Sequence, residues 1–264
     1  MFGFPNVDHS IKETFTRNFL RTVTIQFRFE ENNVICDNKG QILTEFAEKY
    51  PRMHDNVSKN YEIQFQHETP IVNTTRGQGF SLKSNDGNKT IIFTPTSIDI
   101  NINGLGYKNF ADIQNFEINK IKNLLISFNI LNVTRIAIRK INIIGIKIPE
   151  NTSLTQIAKD LLNERIAYSL DTYPMEEFIQ QNVNSVNYVK DKDGLNLKSG
   201  LTVQPNSANV NPNLGHLICD IDRYNAENIN CENLSEIFRK LNEEIFDIFI
   251  WFLNSKSVKI LNNE

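Results

Sequence analysis

Arg135–Ile148 reads RIAIRKINIIGIKI. An isoleucine-rich run of this length predicts a long β-strand buried on at least one face. Arg139, Lys140 and Asn142 stand in its middle, where polar groups need partners or water. Strand spacing puts Lys140 and Asn142 on one face and Arg139 on the other.

The flanking segments place that strand in an α+β order. Upstream, Leu20–Glu30 alternates: Val23, Ile25, Phe27 and Phe29 share one face, as in a half-buried strand. Gln41–Tyr50 changes to helical spacing and stops at Pro51. Tyr61–His67 alternates again. Phe80–Lys83 and Thr90–Phe93 form a hairpin turned at Asn85–Asn88, and Ser97–Ile102 adds a strand. Phe110–Phe128 reads as a long amphipathic helix. Gly77-Gln78-Gly79 and Gly104-Leu105-Gly106 read as turns.

Downstream come a helix capped by Ser153 and a shorter helix near Met175–Gln180. Strands Val183–Val189 and Leu195–Val203 flank a turn at Asp191–Gly194, followed by a strand at Leu217–Tyr224 and a final helix at Leu234–Leu253. Both halves therefore read β–α–β–β–β–α. The expected fold class is α+β, with two similar halves, each an antiparallel sheet covered by a long helix, as in TATA-binding-like or helix-grip-like folds. The expected seam at Asn129–Val133 divides an N-terminal half, 1–130, from a C-terminal half, 131–264.

Composition narrows the function classes. With 28 basic and 31 acidic side chains the net charge is −3, which gives no global attraction to nucleic acid or anionic membrane. Three cysteines, Cys36, Cys219 and Cys231, form no CxxC pair and fit a reducing compartment. Met1–Ser10 has neither the basic nor the apolar part of a signal peptide, and no apolar run approaches ~18 residues. A soluble, cytoplasmic protein with no membrane contact is expected.

Two constellations could carry chemistry. Asp220 and Asp222 are two apart on a strand, so both carboxylates share a face and could hold a divalent cation or divide acid and base roles. A hard-cation site needs more oxygen ligands than this pair supplies, so no metal is assigned. Arg135, Arg139, Lys140 and Lys147 give the central strand several positive charges, an anion-binding strip for a phosphate backbone or an acidic partner. The structural alternative is an internal fork from Arg139 to Asp220 or Asp222, which is favoured because a buried arginine is ordinarily paired. His216 and Cys219 face opposite ways on their strand and form no dyad. No GxSxG, HExxH, kinase or P-loop pattern occurs, so no catalytic residue or cofactor is assigned. Phe246, Phe249, Ile250, Trp251 and Phe252 exceed what one helical face needs, a surplus that fits deep sheet packing or a partner interface.

Four of these segments carry a resemblance: Arg21–Phe29, Ile138-Arg139-Lys140-Ile141-Asn142, Leu217–Asp222 with its DxD, and Gly106–Phe110. Together they resemble a sporadically distributed bacterial family of uncharacterised proteins, with a hydrophobic–Arg–Tyr–Ile–Asn signature in which Lys140 here replaces the tyrosine. The resemblance brings no activity, and its patchy occurrence implies phage-defence or toxin–antitoxin loci. The expectation is a non-catalytic binding or regulatory protein that engages a protein partner or a second copy. Its candidate binding residues are Arg135, Arg139, Lys140, Asn142, Asp220 and Asp222. The alternatives are a metal-dependent nuclease or hydrolase using Asp220 and Asp222, and a nucleic-acid binder using the Arg135–Lys147 strand.

Overall fold

A computed structural model describes residues 2–14, 19–66, 69–148, 152–167, 181–203, 214–254 and 257. His67 and the expected helix at Met175–Gln180 lie outside the described residues. The protein is α+β and divides into two compact units. One unit comprises 24–136 with 227–236; the other comprises 1–23, 137–226 and 237–264.

In the first of these, β1 (Leu20–Arg28) contributes its residues from Thr24 onward. Helices α1 (Val34–Asp37) and α2 (Lys39–Phe46) follow, then β2 (Arg52–Gln66), β3 (Thr69–Lys83), β4 (Lys89–Phe93) and β5 (Ser97–Asn103). The strand order is β2-β3-β4-β5-β1, and β2 to β5 pair antiparallel in sequence. Four strands thus stand between the helices, as many as the strand segments read there from the sequence, so the β–α–β–β–β–α order is one strand short in this half. The hairpin of Phe80–Lys83 with Thr90–Phe93 is as expected, with Phe80 opposite Phe93 and their rings stacked at 4.8 Å. Asp86 organises its turn, accepting from Ser84 Oγ at 2.6 Å and from the Asn88 backbone at 3.0 Å. Those bonds hold its carboxyl down at about 2. Gly77–Gly79 is not a turn: it lies within β3. The reason is close packing, because a Cβ on Gly79 would stand 2.7 Å from the Phe93 carbonyl oxygen.

The long helix of this unit is three segments: α3 (Phe110–Ile113), a π-helical stretch Gln114–Ile118, and α4 (Asn119–Ser127). Asn109 caps it by accepting from the Asp112 N–H at 2.8 Å. Its apolar stripe, Ile113, Ile118, Ile121 and Leu125, is buried with Ile42, Phe46 and Tyr50. A short pair, β6 (Asn132–Val133) and β11 (Ile229–Asn230), closes the unit.

The other unit is built on β7 (Arg135–Lys147), which joins it from Ala137. Then come α5 (Leu154–Leu161), α6 (Glu164–Ala167), β8 (Gln181–Lys190), β9 (Asp193–Val203), β10 (Leu214–Asn225) and α7 (Leu234–Phe252). Its strands follow the order β7-β10-β9-β8. β8, β9 and β10 pair antiparallel. Arg139 meets Asp220 while a Cβ on Gly215 would meet Ile148, so β7 and β10 also run in opposite directions. Ser153 caps α5 as expected, accepting from the Gln156 N–H at 3.2 Å. The β8–β9 turn needs only Asp191 and Lys192, with Asp191 in the left-handed region at φ 55°.

One face of this sheet is core. Leu195, Leu197, Leu201, Leu217, Cys219 and Ile221 are buried with Phe238, Leu241, Ile245, Ile248 and Phe252 of α7. The surplus apolar residues of that helix meet the N-terminal arm of their own chain. Phe4 lies edge-on to Trp251 at 4.9 Å and His9 lies edge-on to Phe246 at 5.5 Å. Asp247 Oδ1 ties the arm down, accepting from the Val7 N–H at 3.2 Å and bonding His9 Nε2 at 2.8 Å. Among the described residues no helix is long and apolar enough to cross a membrane.

Candidate functional site

The parity of two strands distributes the polar residues. On β7, Ile138, Lys140, Asn142 and Ile144 are buried, whereas Arg139, Gly145 and Lys147 are exposed. On β10, Leu217, Cys219, Ile221 and Arg223 point to the core; Ile218, Asp220, Asp222 and Tyr224 alternate with them on the opposite, outer face.

On that outer face Arg139 forks Asp220. Its Nε donates to Oδ1 at 2.8 Å and its Nη2 to Oδ2 at 2.6 Å. The bond to Asp220 holds the guanidinium above its ordinary pKa. Asp222 Oδ2 accepts from Asn196 Nδ2 at 3.0 Å. The two carboxylates therefore share a face, but both oxygens of Asp220 are engaged by a cation of the protein itself. Ile141 and Ile143 of β7 and Ile218 of β10 are half-buried on the same face, where the Tyr224 ring lies over Gly194 of β9.

Lys140 and Asn142 point the other way. Lys140 Nζ donates to Asn242 Oδ1 of α7 at 2.6 Å, and Asn142 Nδ2 donates to the Cys219 carbonyl at 3.4 Å. Burial pushes the Lys140 ammonium down to about 7. The basic strand is therefore not a single cationic surface, because Lys140 leaves it for the core. Arg135 belongs to the other unit, where its Nη1 donates to Gln26 Oε1. Of the six candidate residues, the structure brings together Arg139 and Asp220, with Asp222 on their face. It separates them from the inward pair and from Arg135.

Asp220 is buried while its partner is about half exposed, at 46% of the side chain. Removing the partner leaves a carboxylate with little water, softened by that exposure. Arg139→Gln is expected to cost about 1–3 kcal/mol in urea unfolding, and Arg139→Gln with Asp220→Asn to recover most of it. A single variant as stable as wild type would show that the fork contributes nothing.

The sequence reading missed a second constellation, in the other unit. Glu117 lies on the π-helical stretch and is fully buried. Its Oε1 accepts from Tyr50 Oη at 2.6 Å and from Lys89 Nζ at 2.9 Å; among the described residues its Oε2 has no partner. Burial, and then the Glu117 charge, push the Tyr50 hydroxyl well above its ordinary value. An adjoining cleft of about 560 Å³ is lined by Lys49, Lys89, Lys108, Asp86, Asp112 and Phe116, among others. The Lys49 ammonium sits 3.8 Å from the centre of the Phe116 ring. Spacing did carry a signal here, since Ile113, Glu117 and Ile121 recur every fourth residue and put the carboxylate on the buried stripe. π-Turns of this kind often occur at functional sites.

The cysteines are buried, and Cys231 Sγ donates to the Ile130 carbonyl at 3.2 Å. Burial raises the Cys231 thiol to about 11 and the Cys219 thiol well above its ordinary value. Among the described residues no group of three or more His, Cys, Asp or Glu side chains converges as a metal site would. Compared with known proteins, the chain matches no family model and no curated sequence.

Proposed function

We propose that the protein acts by binding, and that the outer face of the β7-β10-β9-β8 sheet meets a protein partner. One observation carries this reading. The Arg139–Asp220 fork shares its face with Ile141, Ile143, Ile218 and Tyr224, all half-buried. Arginine and tyrosine amid aliphatic groups is the composition of an interface centre, and an arginine already held by its own carboxylate is preorganised for contact. Nucleic acid fits less well, because Asp220 and Asp222 stand among the cations of that face, Arg139, Lys147 and Lys198, and the net charge is −3. A metal-dependent hydrolase would need Asp220 to leave its guanidinium partner first.

The setting, a bacterial cytoplasmic defence or toxin–antitoxin system, rests on the family resemblance. The element order supports two related lobes of TATA-binding-like or helix-grip-like kind: strand, helices, antiparallel strands and a closing helix recur, with one extra strand in the first run.

Co-expression with the products of adjacent genes tests the reading. A protein is expected to co-purify with the wild type and to be lost with Ile218→Lys, while far-UV dichroism and the melting temperature stay as they were. Retention of the partner by Ile218→Lys, or a strictly monomeric wild type that co-purifies with nothing, would end this reading. Retention on heparin that weakens steeply with salt would instead favour nucleic acid.

A further inference from the structure

The outward edge of β8 is self-complementary, and we propose that two copies of the chain pair through it, antiparallel, into a twofold dimer. The proposal concerns the sheet's edge and is independent of the reading of its outer face. β8 ends the strand order of its unit, and among the described residues no strand lies on its far side. All ten of its residues pair with β9 in unbroken register, so no bulge turns the edge away. Natural edges are blunted by proline, charge or bulges. β8 has no proline and no acidic residue, and its one charge, Lys190, sits at its end. The terminal strand of the other unit, β2, carries Arg52, Asp55, Lys59 and Glu62.

Three valines decide what the edge accepts. Val183, Val186 and Val189 are exposed at 43%, 44% and 71%. Identical strands paired about a twofold axis perpendicular to the sheet must oppose residues of the same face, hence of the same parity. With the axis at Val186, Val186 faces Val186 of the second copy and Val183 faces its Val189. Every exposed valine of the strand then meets a valine, Ser185 faces Asn187, and Lys190 faces Asn182 and not another lysine. Moving the axis by one residue, to Ser185, sets Val183 against Asn187 and Val189 against Gln181, so the valine pairing is lost. A heterologous strand has no reason to repeat this spacing; a second copy repeats it by identity.

Light scattering and sedimentation over a concentration series are expected to give a dimer for wild type and a monomer for Val186→Lys, which sets two ammonium groups face to face. Position-specific oxidation provides a second reading should that variant fail to fold. The native cysteines are buried. Val186→Cys should form a disulfide-linked dimer, since opposed strand residues lie within disulfide reach. Val183→Cys alone should not, and Val183→Cys with Val189→Cys should. Ile218→Lys should leave the dimer intact, which separates this proposal from the outer-face reading. A wild type that is monomeric throughout, a dimer that survives Val186→Lys, or equal cross-linking at 183 and 186 would overturn it.

Discussion

Arg223→Met is expected to destabilise the unit containing β10 by about 3–5 kcal/mol, the largest single-site effect here. Arg223 is 3% exposed, yet it serves five partners. Its Nε donates to Glu244 Oε2 at 2.6 Å and its Nη2 to Asp193 Oδ1 at 2.9 Å. Its Nη1 donates to the carbonyls of Gly194 at 3.2 Å and Tyr224 at 2.5 Å, and the Phe2 ring lies 5.0 Å from Cζ. One planar donor thus joins the start of β9, the end of β10, α7 and the N-terminal arm. Methionine keeps most of the volume but none of the donors, so two carbonyls and two carboxylates are stranded. Glu244 and Asp193 retain 22% and 38% exposure, which allows water to recover part of the loss.

The only tryptophan, Trp251, lies on α7 in the same unit. Its fluorescence in urea isolates the affected transition even if the two units unfold separately. Adding Glu244→Gln should return a part of the loss, because one stranded charge disappears. A midpoint shift corresponding to less than about 1 kcal/mol would show that this network contributes no more than an exposed pair.

Arg223 also illustrates what the sequence made legible. The strand parity that put Asp220 and Asp222 on one face also put Arg223 on the other, with Leu217, Cys219 and Ile221. Its buried network was nevertheless not read from the sequence, because its partners Asp193 and Glu244 lie on β9 and α7. The Arg139–Asp220 fork was readable as an alternative, since a basic and an acidic hydrophobic strand each lacked a partner. Local signals held well: the Ser153 cap, the Phe80–Phe93 pairing and the alternation of β1 depend on neighbours within a few residues. Glu117 was missed although its spacing from Ile113 and Ile121 put it on the buried stripe, because its partners, Tyr50 and Lys89, are supplied by distant segments. The N-terminal arm was missed for a similar reason. Nothing in Met1–Ser10 shows that it covers α7, so the helix's apolar excess looked free.

Wild-type stability is expected to rise between pH 7 and about 8.5, and Lys140→Met to abolish that rise. Lys140 ionises at about 7 when folded, against an ordinary value of 10.5. Below pH 7 both folded and unfolded chains hold the proton, so this residue gives no slope there. Above it the folded chain releases the proton while the unfolded chain keeps it, and stability increases with pH by up to about 1.4 kcal/mol per unit. The window closes from above for a reason that is also structural. Burial raises the thiols of Cys36, Cys219 and Cys231, so the unfolded chain ionises them first and stability falls again past about pH 8.5.

Between those limits the difference between wild type and Lys140→Met isolates the lysine. The methionine strands Asn242 Oδ1, at about 1–3 kcal/mol, so Lys140→Met with Asn242→Leu is the cleaner comparison and should exceed wild-type stability at pH 6–7. Urea midpoints followed through Trp251 at half-unit steps would show it. A wild type flat from pH 7 to 8.5, or a slope that persists in the double variant, would mean that the ammonium reaches water in the folded protein.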